Sequence, residues 1–261
     1  MIRTILNEKG GVAKTTTAIQ LAAGFAKAGR RTLLIDGDPQ GGVTNILFSG
    51  EKLVKIIDSG NTISRAMSYP EHIRECIWET GTENLYVVPG SGDLSRAIHK
   101  MQLETKNTYQ IILRNALKMV YPEAFDEIVI DNSPAFTVFS INSVTCADEV
   151  IIPSDIEIGA IKAIEGTIND VTRVIEAVDD SKPLQIKILL TKIGRMKIDR
   201  IIAGQIRDFY SSLVYLTTIR TQWNPVKTAS FSHELLINDQ KSGVAEDYRN
   251  FIQEVMGGKE A

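Results

Sequence analysis

The chain has 261 residues, of which 43% are hydrophobic and 23% charged, so it is long enough for one large globular domain or two small ones. Its formal net charge of −3 argues by itself against a nucleic-acid partner, and no apolar run or basic-then-apolar leader predicts a membrane segment. We therefore expect a soluble cytoplasmic protein. Two cysteines, Cys76 and Cys146, lie far apart and share no metal-ligand spacing with the histidines, which predicts that both are buried apolar side chains.

The first segment of the chain, residues 2–17, reads IRTILNEKGGVAKTTT and predicts a short strand, a glycine-containing loop and the start of a helix. Such a loop points its backbone N–H groups and the positive end of the helix dipole at one place, which suits a polyphosphate. The Lys14 ammonium is placed to reach the β- and γ-phosphates, and the Thr15 hydroxyl is placed to coordinate Mg²⁺. The predicted nucleotide-binding residues are Lys9, Gly10, Gly11, Val12, Ala13, Lys14, Thr15 and Thr16.

This loop departs from the usual pattern G-x-x-x-x-G-K-[ST] at both glycines, where it has Glu8 and Ala13. A left-handed backbone would cost alanine about 1 kcal/mol or more, so we predict a negative φ at Ala13. An additional lysine, Lys9, lies at the other end of the loop, and we expect its target to be something other than the phosphate held by its own subunit. The alternative is a glycine-rich turn with incidental lysines.

Acidic residues follow two further predicted strands. Asp36 and Asp38 come after the apolar run 31–35, and Asp131 ends the apolar run 125–131. Acidic side chains at the carboxyl ends of parallel strands lie where open α/β sheets bind ligands. The first pair has a simpler alternative, a polar turn that happens to be acidic. The second run has the form of a Walker B strand, which delivers a carboxylate to the Mg²⁺ shell, so Asp131 is predicted to lie on the metal side.

The rest of the chain alternates predicted strands and helices. Strands are predicted at 84–90, 148–153, 186–191 and 213–217, and helices at 93–119 with one break, 159–178, 198–210 and 244–256. In the helix 159–178, an apolar stripe that starts at Ile161 is predicted to lie in the core. This alternation predicts an α/β fold, in which one doubly wound, mostly parallel sheet is flanked by helices within a single domain, residues 1–261.

A basic segment contrasts with the acidic remainder of the chain. From Lys187 to Lys227 there are eight basic residues and two acidic ones. Positive charge on one face suits sequence-independent contacts with DNA phosphates. The alternative is a set of scattered charges on a solvated surface, because eight cations over this length need not share a face. The candidate DNA-binding residues are Arg195, Lys197, Arg200, Arg220 and Lys227.

Three of these motifs together resemble one family. KGGVAKTT at 9–16 resembles the deviant Walker A loop of the ParA/MinD family of ATPases, and DGDPQG at 36–41 is similar to that family's DxDPQ motif. The segment 131–134, DNSP, resembles the family's D-x-P-P switch, with Ser133 in place of the first proline. The resemblance implies a P-loop NTPase fold, with ATP and Mg²⁺ as ligands.

The resemblance also implies roles for individual residues. Lys9, Lys14 and Asp38 are the implied catalytic residues, with Asp38 positioning or activating the attacking water. Lys9 matches the signature lysine, which in the family reaches across an ATP-bound homodimer to the partner's nucleotide. Asp36 is implied to help order the water shell of the metal, together with Thr15 and Asp131.

The function implied by the resemblance is ATP-dependent DNA partition. In ParA-type proteins the ATP-bound dimer binds DNA without reading its sequence, and a ParB-like centromere-binding partner stimulates an otherwise slow hydrolysis. We therefore expect a cytoplasmic, nucleoid-associated protein. Because the chain starts at its first strand, we expect no N-terminal helix-turn-helix extension.

Three alternatives stay open. A MinD-like ATPase would close with a basic amphipathic membrane helix, and the balanced charges of residues 248–261 argue against it. A DNA-binding regulator that uses nucleotide only as a structural ligand has little use for the carboxylate of Asp38. A metabolic P-loop enzyme would need a substrate pocket that the sequence does not identify.

Overall fold

A sheet of eight strands runs through the computed structural model, which describes residues 1–104, 109–157, 159–178 and 183–257. The strands are β1 (Ile2–Ile5), β2 (Thr32–Gly37), β3 (Trp78–Glu79), β4 (Leu85–Val88), β5 (Glu127–Asn132), β6 (Glu149–Ser154), β7 (Gln185–Ile193) and β8 (Val214–Arg220). Their order across the sheet is β3-β4-β2-β5-β1-β6-β7-β8. Every neighbouring pair is parallel except β3 with β4.

Helices connect the strands and cover the sheet. They are α1 (Lys14–Lys27), α2 (Gly42–Leu47), α3 (Gly50–Ser59), α4 (Ile63–Ser68), α5 (Leu94–Glu104), α6 (Ile112–Leu117), α7 (Val138–Cys146), α8 (Ala160–Val178), α9 (Lys197–Tyr210), α10 (Trp223–Phe231) and α11 (Gly243–Val255). None of the helices in the described ranges is both long and apolar enough to cross a membrane.

Both faces of the sheet are apolar because successive strand side chains point to opposite sides. On β2, Leu34 joins a cluster with residues of α1 and α11 such as Phe25 and Phe251. Its neighbours Leu33 and Ile35 join a second cluster on the other face, with residues of α4 to α7. A third cluster packs β6 and β7 against α8 and α9. Burying each such aliphatic side chain contributes roughly 1.5 to 3 kcal/mol, and the sheet is held on both sides.

The strand order reverses beside β1. On one side of β1 the chain first forms β2 and then β4, and it returns to insert β5 between β2 and β1; it afterwards builds β6, β7 and β8 on the other side. In open α/β sheets, the crevice at the carboxyl ends of the strands beside such a reversal binds ligands. The loop that follows β1 lies in this place.

The predicted fold class is confirmed, and some elements differ from the prediction. The short antiparallel β3 and the helices α7 and α10 were not predicted. The apolar stripe of α8 is buried at Ile164 and Val171, but the prediction was wrong for Ile161, which is 39% exposed. Both cysteines are buried, as expected.

Candidate active site

Three strands bring the predicted phosphate loop and the predicted acidic residues together. β1 lies next to β5, with Ile5 opposite Asp131, and β5 lies next to β2, with Asp131 opposite Asp36. Parallel strands in register end at one edge of the sheet, so the loop after Ile5 and the two aspartates share that edge. The sequence motifs, which are far apart along the chain, therefore form one site.

The Lys14 side chain lies inside the loop. It is 6% exposed, and its ammonium donates a hydrogen bond of 3.0 Å to the carbonyl oxygen of Lys9. Burial lowers the pKa of Lys14, while Asp131 and Asp38 oppose that shift by attraction. Among the described residues, the hydrogen bond of this buried cation goes to a carbonyl oxygen, so its charge is available to an anion. Phosphate binding by Lys14 stays a prediction.

Ala13 is left-handed, so the prediction of a negative φ was wrong. Its φ is 68° and its ψ is 30°, and it stands immediately before α1, where its carbonyl oxygen accepts the first helical hydrogen bond, from the Thr17 amide at 2.9 Å. The turn from the loop into the helix is made at this left-handed residue. Alanine adopts it at a cost of about 1 to 2 kcal/mol. Backbone strain of this kind is held in place by its surroundings, and it is common at functional sites.

Lys9 points away from Lys14. Its ammonium donates hydrogen bonds to Asp155 at 2.7 Å and to Glu157 at 3.1 Å, both in the loop that follows β6. Although burial opposes the charge, these hydrogen bonds raise the pKa of Lys9. The two loop lysines therefore serve different places: Lys14 lies within the loop, and Lys9 lies at its outer side.

The carboxylate of Asp131 is fully buried at the site. It is 0% exposed, and among the described residues no hydrogen bond of ordinary geometry reaches either oxygen, although the nearby Thr15 side chain and the Lys14 charge favour its ionised form. Burial, and next the nearby charge of Asp36, raise the pKa of Asp131 well above its usual range. An orphaned buried carboxylate is costly, and a cation beside it would remove that cost.

Asp36 is buried beside it but is fully oriented. One of its oxygens accepts hydrogen bonds from the Thr44 amide at 2.8 Å and from the Thr44 hydroxyl at 2.6 Å. Gly90 covers the carboxylate so closely that a Cβ at that position would lie 2.8 Å from Cγ of Asp36. Burial raises the pKa of Asp36 to about 6, although the Thr44 hydrogen bonds oppose the shift.

These residues fit Mg²⁺ bound together with a polyphosphate. Within the described ranges, no three acidic, histidine or cysteine side chains converge to hold a metal by themselves. Mg²⁺ is commonly bound by one or two carboxylates together with water and substrate phosphates. The orphaned oxygens of Asp131, the oriented carboxylate of Asp36 and the hydroxyl of Thr15 are the hard oxygen donors that such a site needs.

Asp38 stands at the cavity in front of the loop. It is partly buried, its amide donates to Asp36 at 3.3 Å, and its Oδ1 accepts a hydrogen bond of 2.9 Å from the Gln40 amide. The cavity has a volume of about 640 Å³. The phosphate loop and Asp38 form one side of it, and its remaining walls include Ile219, Trp223 and Tyr248. A site with phosphate-binding donors and apolar walls is suited to a nucleotide.

The candidate DNA-binding residues come to one corner of the sheet. Arg195, Lys197 and Arg200 are exposed at the start of α9, just after β7. Arg220 ends β8 next to it, and Lys227 lies on the following α10. Arg220 and Lys227 differ from the three α9 residues, because other side chains already contact them.

Arg220 is held by Asp247. Its guanidinium donates two hydrogen bonds to the carboxylate, at 2.8 and 2.6 Å, and its amide donates a third at 2.8 Å. The Lys227 ammonium lies 4.8 Å from the ring centroid of Trp223, in cation–π geometry. Arg220 and Lys227 also stand at or beside the wall of the cavity, whereas the α9 residues do not line it.

Several residues of the site were not predicted. Thr44 orients Asp36, and Asp155 and Glu157 hold Lys9. Asp155 follows the carboxyl end of β6, so the rule that identified Asp36 and Asp131 could have identified it as well. Thr44 and Trp223 carry no comparable signal, because neither lies within a motif or at a strand end, although Thr44 comes three residues after DGDPQG, and their positions depend on how helices pack.

A strand, a lysine-containing loop at a helix start and two acidic strand ends define a P-loop nucleotide-binding protein. Comparisons agree. A family model described as an AAA domain matches residues 1–186. The chain is 31% identical over 253 residues to the chromosome partitioning protein ParA of Myxococcus xanthus, covering 97% of this chain and 86% of that protein. The chain therefore belongs to the ParA family of partition ATPases.

Solved structures show the same fold. A plasmid partition protein from Borrelia burgdorferi bound to AMPPNP has a TM-score of 0.79 at 24% identity, covering 99% of each chain. The septum site-determining protein MinD of Pyrococcus horikoshii, complexed with Mg-ADP, has a TM-score of 0.74 at 19% identity, covering 97% of this chain and 95% of that chain. Both carry the architecture described above.

Proposed function

We propose that this protein is an ATP-dependent DNA partition ATPase that works as an ATP-bound homodimer. ATP and Mg²⁺ bind at the loop from Lys9 to Thr16. Two subunits close face to face, and the closed dimer presents a basic surface to DNA. Hydrolysis reopens the dimer, and a ParB-like centromere-binding protein stimulates it. Without that partner, hydrolysis is slow, and the protein acts in the cytoplasm on the nucleoid. The family membership and the geometry of the site support this proposal.

The divergence of the two loop lysines is the observation that carries the proposal. Lys14 turns into the loop and donates to the Lys9 carbonyl oxygen, a position from which it would bind the phosphates of its own subunit. Lys9 turns outward and is held by acidic side chains at the rim. A cation at the rim can exchange Asp155 and Glu157 for the phosphates of a nucleotide on a facing subunit. Each Lys9 then completes the site of its partner, and ATP stabilises the closed pair.

Each residue of the site then has a role in hydrolysis. When bound, Mg²⁺ supplies positive charge to the β- and γ-phosphates. Lys14 and the loop amides would bind the phosphates, and Thr15, Asp36 and Asp131 would hold the metal and its water shell. Asp38 accepts a hydrogen bond from the attacking water and orients it. Only a ligand that binds the open and the closed state with different affinity can switch the protein between them, and the γ-phosphate supplies that difference in affinity between ATP and ADP.

DNA binding is assigned first to the start of α9. Arg195, Lys197 and Arg200 are exposed and have no ion pair among the described residues. Free cations contact phosphates without reading sequence. Arg220 and Lys227 complete the set, but they must first leave Asp247 and Trp223, which makes their contribution smaller.

Sizing in solution tests the dimer. The protein is chromatographed with a non-hydrolysable ATP analogue, with ADP and without nucleotide. We expect a dimer with the analogue alone, and a monomer in the other two cases. Lys9→Ala should stay monomeric while it still binds the analogue, and Lys55→Ala, on the exposed surface of α3, should behave as the wild type. Pairing of Lys9→Ala at the wild-type analogue concentration would refute the proposal.

A salt titration tests DNA binding. Affinity for duplexes of unrelated sequence should be equal, should require ATP and should fall steeply with salt concentration. Alanine at both Arg195 and Lys197 should weaken the binding to every duplex alike. Unchanged affinity of that double variant would remove the α9 surface from the proposal, although the ATPase assignment would stand.

A further inference from the structure

Lys192 lies beside the phosphate loop and has no role in the function proposed above. It stands near the end of β7 with a φ of 56°, a left-handed backbone conformation that residues other than glycine rarely adopt. Unusual backbone of this kind persists only where the surrounding structure holds it, and it is concentrated at functional sites. The direction in which this backbone sends the side chain is therefore informative.

An irregularity in the sheet turns Lys192 toward the loop. The pairing of β7 with β8 shifts register between Leu190 and Ile193, which brackets Lys192. Irregularities of this type redirect side chains and are frequent next to active sites. Here the Lys192 ammonium stands so close to Gly11 that a Cβ at that glycine would lie 3.9 Å from it.

The neighbouring residue fixes this end of β7 to the loop. The buried Thr191 hydroxyl donates a hydrogen bond of 3.1 Å to the carbonyl oxygen of Val12, which follows Gly11. Lys192 also lines the 640 Å³ cavity together with Lys14 and Thr15. Lys192 is exposed, but its backbone position relative to the phosphate loop is set by the strand and by the buried hydrogen bond of Thr191.

The charge of Lys192 is not used elsewhere in the described part of the chain. It has no ion pair there, and of the two acidic residues that line the cavity, Asp38 and Glu157, the second is bound to Lys9. Its ammonium instead lies 6.0 Å from the ring centroid of Trp223, whose other cationic neighbour is Lys227 at 4.8 Å. Trp223 is 65% exposed, so this contact is weak and exchangeable.

We propose that Lys192 is a third phosphate-binding lysine, supplied by the same subunit, and that Trp223 holds its ammonium at the cavity until a polyphosphate binds. The inference rests on the proposed nucleotide binding at this site. It adds a residue that recognises the phosphate chain of the nucleotide. The affinity that Lys192 adds should appear with ADP and ATP, and it should be nearly absent with AMP, which lacks the β- and γ-phosphates.

Equilibrium binding of Mg·ATP, Mg·ADP and AMP to Lys192→Asn tests this role. Asparagine removes the charge and tolerates a left-handed backbone, so the variant should fold. Loss of a charged hydrogen bond should weaken ATP and ADP binding by about tenfold, and AMP binding should change by less than about twofold. Lys192→Arg should retain affinity within about threefold, because it keeps the charge.

Lys55→Asn is the matched control. It removes an exposed ammonium on α3 that does not line the cavity, so affinity for ADP should stay within about twofold of the wild type. Equal ADP affinity in Lys192→Asn and the wild type would overturn the inference, and so would an equal loss for ADP and AMP. If the wild type bound none of the three nucleotides, the proposed function itself would fail, and this inference would fail with it.

Tryptophan fluorescence tests the second half of the proposal. The chain has two tryptophans, so Trp78→Phe leaves Trp223 as the reporter. Adding ADP should change the Trp223 emission as the ammonium leaves the ring, and AMP should change it less. In the Lys192→Asn background, the difference between ADP and AMP should vanish. Emission that responds equally to both nucleotides in the Lys192 protein would overturn the role of Trp223.

Discussion

Two regions of the molecule concentrate positive charge, and they are built differently. In the phosphate loop, Lys14 is buried, its ammonium donates to the Lys9 carbonyl, and the buried carboxyl group of Asp131 stands nearby. At the start of α9, Arg195 and Lys197 are exposed, and neither has an ion pair in the described part of the chain. The first region depends on fixed side-chain positions, whereas the second depends on the number of exposed positive charges.

The difference determines how each region responds to change. A site that depends on fixed directions inside a low-dielectric cavity loses most of its effect with one side chain. A surface that binds phosphates by charge loses its effect in small, nearly equal steps, because each cation contributes separately. Substitutions can therefore separate the two regions by the size of their effects.

Asp38→Asn should give the largest effect. Removing the carboxylate that accepts a proton or hydrogen bond from the attacking water should slow ATP hydrolysis by about 10²- to 10⁴-fold, while the Kd for ATP changes by less than about threefold. Single-turnover hydrolysis and equilibrium binding measure the two quantities. Asp58→Asn, on the exposed face of α3, serves as the control.

The outcome also decides between turnover and a purely structural nucleotide. If Asp38→Asn hydrolysed ATP at the wild-type rate, the carboxylate would have no role in the reaction. The protein would then resemble a nucleotide-gated regulator more closely than an ATPase, and the phosphate region could no longer be distinguished from the α9 region by a role in catalysis.

The pH dependence of stability should reveal the buried acidic side of the phosphate site. In metal-free protein the pKa of Asp36 is about 6, against 3.8 for an ordinary aspartate. Between these values the folded state binds more protons than the unfolded state, so the free energy of unfolding falls as pH rises. The stability that the protonated Asp36 contributes is fully present below about pH 4 and is lost by about pH 7. Its loss lowers the free energy of unfolding by on the order of 2 to 3 kcal/mol.

Asp36→Asn removes this penalty, because the amide oxygen can still accept the Thr44 hydrogen bonds and carries no charge. The substitution also relieves Asp131, whose pKa Asp36 raises in addition to burial. Urea denaturation in EDTA should show the variant gaining stability relative to the wild type as pH increases from about 4 to 7. A difference that stays constant over this range would contradict the prediction.

The sequence anticipated the phosphate region better than the basic one for a physical reason. The loop, Asp36 and Asp131 each follow a buried strand, and parallel strands place their carboxyl ends at one edge, so local patterns determine their meeting. The directions of Lys9 and Ala13 were harder to predict. Asp155 follows a strand that neighbours β1 but lies 146 residues further along the chain than Lys9, and the left-handed turn at Ala13 occurs where α1 begins.

The basic segment shows what composition alone cannot supply. Counting charges from 187 to 227 grouped Arg195 with Arg220, but the fold pairs Arg220 with Asp247, which lies in α11. The same count included Lys192, which the fold turns into the nucleotide cavity. Which cations are free depends on contacts between distant elements, and no local pattern encodes them.

Alanine at Arg195 and Lys197 should therefore differ from alanine at Arg220. Losing two phosphate contacts should lower the slope of log K against log salt by about two, with the free energy of unfolding unchanged. Arg220→Ala should leave the slope nearly unchanged but lower the urea midpoint, because the Asp247 carboxylate loses its partner. Equal slopes for the two variants would erase the distinction between free and engaged cations.

Ala13→Gly should give the smallest effect. The left-handed backbone costs alanine about 1 to 2 kcal/mol, which glycine avoids, and glycine adds about 0.4 to 1 kcal/mol of chain entropy to the unfolded state. The net expectation is a stabilisation of about 0.5 kcal/mol, measured by urea denaturation. Ala28→Gly is the matched control, because Ala28 is exposed at the end of the same helix with a φ of −78°.

Ala28→Gly adds chain entropy to the unfolded state and relieves no backbone strain, so it should destabilise the protein by about 0.5 to 1 kcal/mol. Opposite signs at the two ends of α1 would show that the phosphate loop holds strained backbone while the far end of the helix does not. If both variants were destabilised equally, the left-handed alanine would carry no strain, and the rigidity attributed to the loop would have to come from its hydrogen bonds alone.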